Sequence, residues 1–332
     1  MTTVLVATTG GHLTQLHGLA ERIPPDPDSV WVTHANEQST SLLADRDVEY
    51  VPYVGQKDVP GVLRCMLHAH RLFRERRPTR AVSTGSGIAL GYLPYLAARG
   101  VECHYIESAA RVGGPSLTGR ILRWVPRVRT YTQSRSWSGG PWRYGGNGFD
   151  AYEAVPAQRE PGDRVKVVVT VGTAAEFPFR RLVLPLAKLL AADGPLEQAM
   201  GRPVDVLWQT GCTPVDDLPI TATPFLPAAD LTAALAEADI VVSHAGTGSA
   251  LANLAAGRFA VMVSREAEFG EAADDHQREL ADELAARGLA LHRGPADITV
   301  DDLVATLSTA VRRASEVPPF ELRTELQIKT EP

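Results

Sequence analysis

Residues 238–256 read ADIVVSHAGTGSALANLAA, and this stretch decides the fold. Ile240-Val241-Val242-Ser243 is a short apolar run of the kind that fills a strand buried on both faces. It stops at His244-Ala245-Gly246-Thr247-Gly248-Ser249, a turn of small residues, and a helical pattern runs on to Ala256. Strand, glycine-rich turn and helix make one unit of an open parallel sheet. Outward from there the same grammar recurs. Val165–Val171 (VKVVVTV) ends in Gly172-Thr173, Val204–Trp208 ends in Gln209-Thr210-Gly211, and Phe259–Val263 precedes an amphipathic helix over Asp275–Arg287. Upstream, Val4–Ala7 halts at a Thr/Gly loop before a helix over 13–22. Val30–Thr33 and Val48–Val54 are further strand candidates, followed by a helix from about Val62 to Arg76. Ala81-Val82-Ser83 then runs into Thr84-Gly85-Ser86-Gly87, a helix through Ala98 and a strand over Val101–Ile106. Residues 151–164, AYEAVPAQREPGDR, are polar, aperiodic and carry two prolines, as a linker does. The expectation is an α/β protein of two Rossmann-like, doubly wound parallel-sheet domains facing a central cleft. The boundaries are 1–150, a linker at 151–164, 165–315, and a C-terminal tail at 316–332.

A chain of 332 residues is long enough for two such domains, each with its own core. Hydrophobic content of 44% against 22% charged excludes wholesale disorder. No apolar run approaches the roughly 18–20 residues of a membrane span, and the N-terminus lacks the basic region of a signal peptide. Cys65, Cys103 and Cys212 form no CxxC and no paired spacing, which fits a reducing cytosol and excludes a disulfide framework or zinc ribbon. The charge is unevenly placed. Residues 1–150 hold 17 Lys and Arg against 12 Asp and Glu, and the remainder holds 16 against 27. The basic residues concentrate at 71–80 and at 120–143, where Arg120, Arg123, Arg127, Arg129, Arg135 and Arg143 interleave with Trp124, Tyr131, Trp137 and Trp142. Such a segment reads either as an aromatic-rich surface loop or as a site of contact with an anionic membrane surface. The acidic whole and the lack of a nucleic-acid motif argue against a nucleic-acid partner.

Ligands of open α/β sheets bind at the carboxyl ends of strands, where loops meet helix N-termini. The 244–249 loop lets a ligand approach the backbone closely, and the following helix offers unpaired N–H groups to a phosphate. Thr247 and Ser249 add hydroxyls, with Ser249 alternatively an N-cap. Gly172-Thr173 is a second source of donors. Asp274-Asp275-His276-Gln277 opens a helix, where one Asp serves as cap and the His-Gln pair can reach sugar hydroxyls. Gly10-Gly11-His12 follows the first strand directly. His12 there is suited to general-base work, its ordinary pKa of roughly 6.5 lying near operating pH. Thr84–Gly87 is another anion-friendly loop. Glu107 is placed either to accept from a sugar hydroxyl or to serve as a buried partner of an arginine. No GxGxxG, P-loop, HExxH or GxSxG elbow is present, and the histidines and cysteines do not make a metal set.

Together these loops resemble a known family. VVVTVGT at 167–173, WQTG at 208–211, ADIVVSHAGTGS at 238–249 and DDHQ at 274–277 are similar to the family 28 glycosyltransferase C-terminal domain. TTGGHLTQL at 8–16, STGSGIALGYLPYLA at 83–97 and YIESAARVGGPSLTGRIL at 105–122 resemble the acceptor-side subunit of the two-subunit N-acetylglucosaminyltransferase that extends dolichol-linked sugar. The chain resembles the two subunits fused, as in bacterial polysaccharide glycosyltransferases and the lipid II–forming peptidoglycan enzyme. The resemblance implies a GT-B fold and an inverting glycosyltransferase that uses neither a cofactor nor an active-site metal. It implies a nucleotide-sugar donor, a UDP-sugar, held by Gly172, Thr173, Gly211, His244, Gly246, Thr247, Gly248, Ser249, Asn253, Asp275, His276 and Gln277. The acceptor, a polyprenyl-diphosphate-linked saccharide or a small molecule, would meet Gly10, Gly11, Thr14, Ser83, Gly85, Ser86, Gly87, Glu107 and Arg120, with His12 as the base. Relatives carry a ribose-binding glutamate three residues after the loop serine. Here that position is Ala252, leaving Asn253 or a carboxylate from Glu266–Glu271 as the substitute. No membrane-anchoring N-terminal helix is expected, so the protein would be cytoplasmic, with peripheral contact at the inner face of the cell membrane. The competing readings are a transferase with a soluble natural-product acceptor, a nucleotide-sugar epimerase, and a non-catalytic binding subunit.

Overall fold

The computed structural model describes residues 2–23, 26–55, 57–172 and 176–322. The chain forms two compact units, 1–150 with 316–332, and 151–315. Unit 1 runs β1 (Thr3–Ala7), α1 (Gly11–Ala20), β2 (Val30–Thr33), α2 (Glu37–Leu42), β3 (Asp47–Tyr50), α3 (Val59–Arg76), β4 (Arg80–Gly85), α4 (Gly87–Ala98), β5 (Glu102–Ile106), α5 (Leu117–Leu122), β6 (Val128–Thr132) and β7 (Trp142–Tyr144). Among the described residues its seven strands form one parallel sheet in the order β3-β2-β1-β4-β5-β6-β7. The strands are apolar on both faces because both are covered. Val4 and Val6 look into one core with Val30, Val32, Tyr92 and Leu96, while Leu5 and Ala7 look into the other with Leu13, Leu16 and Leu19 of α1. Helices α3, α4 and α5 share the first of these faces, with α4 touching both of the others. Gly91 lets α3 come close: a side-chain carbon there would lie 2.6 Å from Cβ of Cys65.

Unit 2 runs β8 (Tyr152–Pro156), β9 (Val165–Thr170), α6 (Arg180–Leu189), α7 (Pro195–Met200), β10 (Val204–Gln209), β11 (Ala222–Thr223), α8 (Ala228–Glu237), β12 (Ile240–His244), α9 (Thr247–Ala255), β13 (Ala260–Val263), α10 (His276–Ala286), β14 (Ala290–His292), α11 (Val300–Ala305) and β15 (Thr309–Arg313). Among the described residues its parallel sheet has six strands in the order β11-β10-β9-β12-β13-β14. Val165, Val167, Val169 and Val171 pack with Leu182, Val183 and Leu186 of α6.

Three expectations are corrected. The polar stretch 151–164 is not a plain linker: Tyr152–Pro156 is a strand paired antiparallel with β15, Val311 facing Ala154. Its partner lies more than 150 residues downstream, so no local pattern announces it. The basic-aromatic segment 120–143 is not a surface loop, since it supplies β6 and most of the β7 region. Tyr131 and Trp142 are buried, and Trp137 packs edge-on against Trp142 at 5.0 Å. Of its aromatics only Trp124, 75% exposed, faces solvent. Finally, the segment from 316 is no free tail as far as residue 322. Phe320 is buried in the α1-side core of unit 1, and Arg22 donates to the carbonyl of Pro318.

Candidate functional site

In unit 1 the strand order reverses between β1 and β4, the place where open α/β sheets bind ligands. The chain leaves β1 through Gly10, whose φ of +89° suits glycine, and enters α1 with no side-chain cap. It leaves β4 through Gly85, φ +105°, and enters α4 after Ser86, again without a side-chain cap. Helices α2, α3 and α5, by contrast, are capped by Asn36, Asp58 and Ser116. The first-turn N–H groups of α1 and α4 are thus not taken up by a capping side chain.

His12 sits at the start of α1 and is bound to β4 by a reciprocal pair of hydrogen bonds. Its Nδ1 lies 2.7 Å from the carbonyl of Thr84, and the Thr84 hydroxyl donates to the carbonyl of His12 at 2.8 Å. A carbonyl only accepts, so Nδ1 carries the proton and Nε2 is the basic nitrogen of the neutral ring. Gly85 backs the imidazole, for a side-chain carbon there would meet its Cε1 at 3.2 Å. Thr8 accepts from the backbone N–H of Ser86 at 3.2 Å, joining the β1 and β4 loops.

Other expected acceptor residues are already engaged. The Thr14 hydroxyl donates to the Gly10 carbonyl at 3.2 Å, and Gly87 packs against Val54. Ser83 is fully buried in β4 and accepts from Gly85 N–H at 3.1 Å, so it does not face a ligand. Glu107 is fully buried as well. One oxygen accepts from the Ser116 N–H and hydroxyl, both at 2.9 Å, and the other from Ser108 N–H at 3.1 Å and the Tyr105 hydroxyl at 3.2 Å. Burial pushes its carboxyl upward, against the hydrogen bonds from Ser116 and Ser108. These bonds pin the 107–116 loop and the start of α5. Arg120 is exposed on α5, its Nε donating to the Pro115 carbonyl at 3.2 Å. Gln38 was not anticipated. Its amide clamps the β1 loop, accepting from Gly10 N–H at 2.5 Å and donating to the Gly10 carbonyl at 3.1 Å and the Thr14 hydroxyl at 2.9 Å. The signal for it was its place just past β2, at the same sheet edge.

In unit 2 the order reverses around β9, and the loops after β9, β12 and β13 converge. His244 ends β12, and its ring fills the space left by two glycines. A side-chain carbon at Gly172 would stand 2.6 Å from Nε2, and one at Gly246 would fall closer still. Gly172 also has φ +80°. Burial, then the charge of Arg265, push the His244 imidazole down to about 3, opposed by a hydrogen bond to the Thr170 backbone. His244 is therefore a neutral hydrogen-bonding group at working pH. Ser249 does not cap α9. Gly246 holds the cap position, and the Ser249 hydroxyl lies 3.3 Å from Nδ1 of His244. Thr247 and Gly248 form the uncapped first turn beside it.

Asn253 is buried, donates to the Ser243 hydroxyl at 2.8 Å, and faces the interior rather than the α9 turn. The carboxylates of Glu266 and Glu271 are held by arginines: Glu271 binds Arg181 at 2.8 Å and Glu266 binds Arg278 at 2.8 Å. Asp275 occupies the cap position of α10 but accepts from Ala267 N–H at 3.0 Å instead of capping the helix. His276 is half-buried, with Nδ1 on Asp274. Gln277 is buried and accepts from the Arg265 backbone N–H at 3.1 Å, which makes it a support for the β13 loop. Gly211, φ +57°, turns the chain after β10. Thr173 lies outside the described residues. Arg265, two residues past β13, was missed because the 264–273 loop reads as acidic.

Two doubly wound units with glycine turns at their strand ends give the chain the GT-B fold. Residues 166–327 match the glycosyltransferase family 28 C-terminal domain, and the chain is a glycosyltransferase. It is 27% identical over 93% of its length, and 89% of the relative, to the UDP-N-acetylglucosamine–N-acetylmuramyl-(pentapeptide) pyrophosphoryl-undecaprenol N-acetylglucosamine transferase of Cupriavidus necator. Among solved structures it resembles MurG of Acinetobacter baumannii, with TM-score 0.55 and 19% identity, covering 93% of this chain and 91% of that one. It likewise resembles the spinosyn forosaminyltransferase SpnP, with TM-score 0.56 and 17% identity, covering 92% and 89%.

Proposed function

We propose that the protein transfers a sugar from a UDP-sugar to a hydroxyl of a polyprenyl-diphosphate-linked saccharide, with inversion at the transferred carbon. Unit 2 binds the donor and unit 1 the acceptor. Nε2 of His12 takes the proton from the acceptor hydroxyl as its oxygen attacks the anomeric carbon. The bond from that carbon to the phosphate oxygen breaks, and the electron pair leaves with UDP. The observation that carries this reading is the reciprocal bonding of His12 and Thr84, which fixes the tautomer a base requires. The donor assignment is supported by the family 28 domain and by the Cupriavidus relative, whose name gives a UDP-sugar donor and a pyrophosphoryl-undecaprenol acceptor.

A lipid-linked acceptor calls for contact with a membrane, and among the described residues no helix is long and apolar enough to cross one. The exposed faces of α3 and α5 favour peripheral contact at the inner face of the cell membrane. Val59, Leu63, Met66 and Leu67 are exposed on α3, and Leu117 and Ile121 on α5, with Trp124 just beyond it. Arg64, Arg71 and Arg74 flank the first set and Arg120 and Arg123 the second. Apolar residues rimmed by arginine suit an anionic bilayer surface. The test is an assay with UDP-N-acetylglucosamine, UDP-glucose and UDP-glucuronate as donors and short-chain polyprenyl-diphosphate saccharides as acceptors. UDP release together with a glycosylated lipid is the expected result. UDP-sugar consumption with no acceptor present, or transfer only to soluble aglycones, would overturn the reading.

A further inference from the structure

Arg265 is 3% exposed, among the least accessible charged side chains of the molecule. It follows β13, and its guanidinium reaches past the end of β12 to donate to the carbonyl of Val171, the first residue beyond β9. It thereby lies at the meeting point of the loops that carry Gly172 and His244. Among the described residues no carboxylate forms an ion pair with it. Glu271, the nearby acid, gives both oxygens to Arg181, and Nε of Arg265 is buried with no hydrogen-bond partner. Its packing neighbour is the ring of Phe179, 5.6 Å away. Gln277 holds its backbone from α10. A guanidinium in such a place is under-compensated, because a buried charge demands a counter-charge and filled hydrogen-bonding positions. Burial accordingly pushes it below its ordinary value, yet it stays protonated at any working pH. The neighbouring imidazole is kept neutral and supplies no second cation.

We infer that Arg265 is the anion-binding residue of unit 2, receiving the diphosphate of the donor and the negative charge that grows on it as the sugar departs. The inference rests on the donor reading above. A forked guanidinium suits two phosphate oxygens, and a preorganised cation in a site of low polarity acts strongly on a developing charge. The acceptor oxygen forms its bond to the sugar, the carbon–oxygen bond to phosphate breaks, the pair remains on the β-phosphate opposite Arg265, and the proton passes to His12.

The experiment compares calorimetric binding of UDP, UMP, uridine and inorganic pyrophosphate to the full chain and to Arg265→Gln. UDP should bind the variant about tenfold or more weakly, UMP less affected, and uridine equally. The ligand-free variant should melt no lower than the parent, because an uncompensated charge has been removed. Equal UDP affinity in parent and variant, or a loss that extends to uridine, overturns the inference. Should Arg265→Gln fail to fold, an arginine-labelled 15N spectrum of the parent chain decides. A buried Nε–H signal that UDP displaces and uridine does not supports the role, and one that UDP leaves in place overturns it. Pyrophosphate binding without UDP binding upholds the anion role and removes the UDP assignment. Binding of neither ends both.

Discussion

His12 and His244 are both histidines at a strand-end glycine turn, yet their surroundings give them opposite chemistry. His12 is fixed through Nδ1 with its other nitrogen basic, whereas His244 is enclosed by Gly172, Gly246 and Ser249 and held neutral. Replacing His12 by Ala is expected to lower turnover by roughly 10²- to 10⁴-fold while UDP binding is retained. Steady-state kinetics beside calorimetry checks both, and a variant with near-parental turnover would place the base elsewhere. His244 makes a different prediction. In the unfolded chain it takes a proton near its ordinary value of 6.5, but in the native protein not until about 3. The unfolded state therefore binds more protons across that window, so the stabilisation present above pH 6.5 is lost as pH falls toward 3. His34 and His104 are pushed down by burial and act in the same direction. Urea midpoints should drop from pH 7.5 to pH 5, with a smaller drop in His244→Gln.

At the scale of the element, helix α3 has to satisfy two demands. One side packs on α4 through Gly61, Cys65, Ala69 and Leu72, at a distance that only Gly91 allows, and the other leaves Leu63 and Leu67 in water. Substituting Leu67→Glu on α3 and Trp124→Glu beyond α5 should weaken sedimentation with anionic liposomes by about tenfold or more, given ~1.5–3 kcal/mol for each large apolar side chain buried. The melting temperature should be unchanged, since neither side chain is in the core. Unaltered sedimentation would remove these faces from membrane contact. Much of this architecture was legible in the sequence, because a strand buried on both faces announces itself as an apolar run, as VKVVVTV and IVVS do. The same is true of the glycine turns and of His12 and His244. What escaped was set by partners far along the chain. The β8–β15 ribbon joins Tyr152 to Arg313, Glu107 turns inward to Ser116, and Asn253 to Ser243. Arg265 escaped for another reason: a charged residue in an acidic loop gives no sign in sequence that it will be enclosed.

The whole molecule is assembled from one continuous unit and one interrupted unit, since the chain leaves unit 1 after Asp150 and comes back at Glu316. The returning segment seats Phe320 against Tyr131, ring centroids 6.1 Å apart, and against the backbone at Gly145, where a side-chain carbon would stand 2.6 Å from the Phe320 ring. Phe320→Ala should therefore destabilise unit 1 by about 3 kcal/mol, as deletion of a buried aromatic does, while unit 2 keeps its transition. Calorimetry that resolves the two transitions checks this, and an unshifted unit 1 transition would show that Phe320 contributes nothing to the core.

That return also sets an order of events at the ribosome. Domains complete themselves as their residues emerge, and the first 150 residues emerge with one buried aromatic of their core still untranslated. The inner unit, contiguous in the message, has its whole strand set available before the outer one can close. The half of the protein made first is thus the half finished last, and it waits in the interval with the floor of its α1-side core open to whatever chaperone attends the nascent chain.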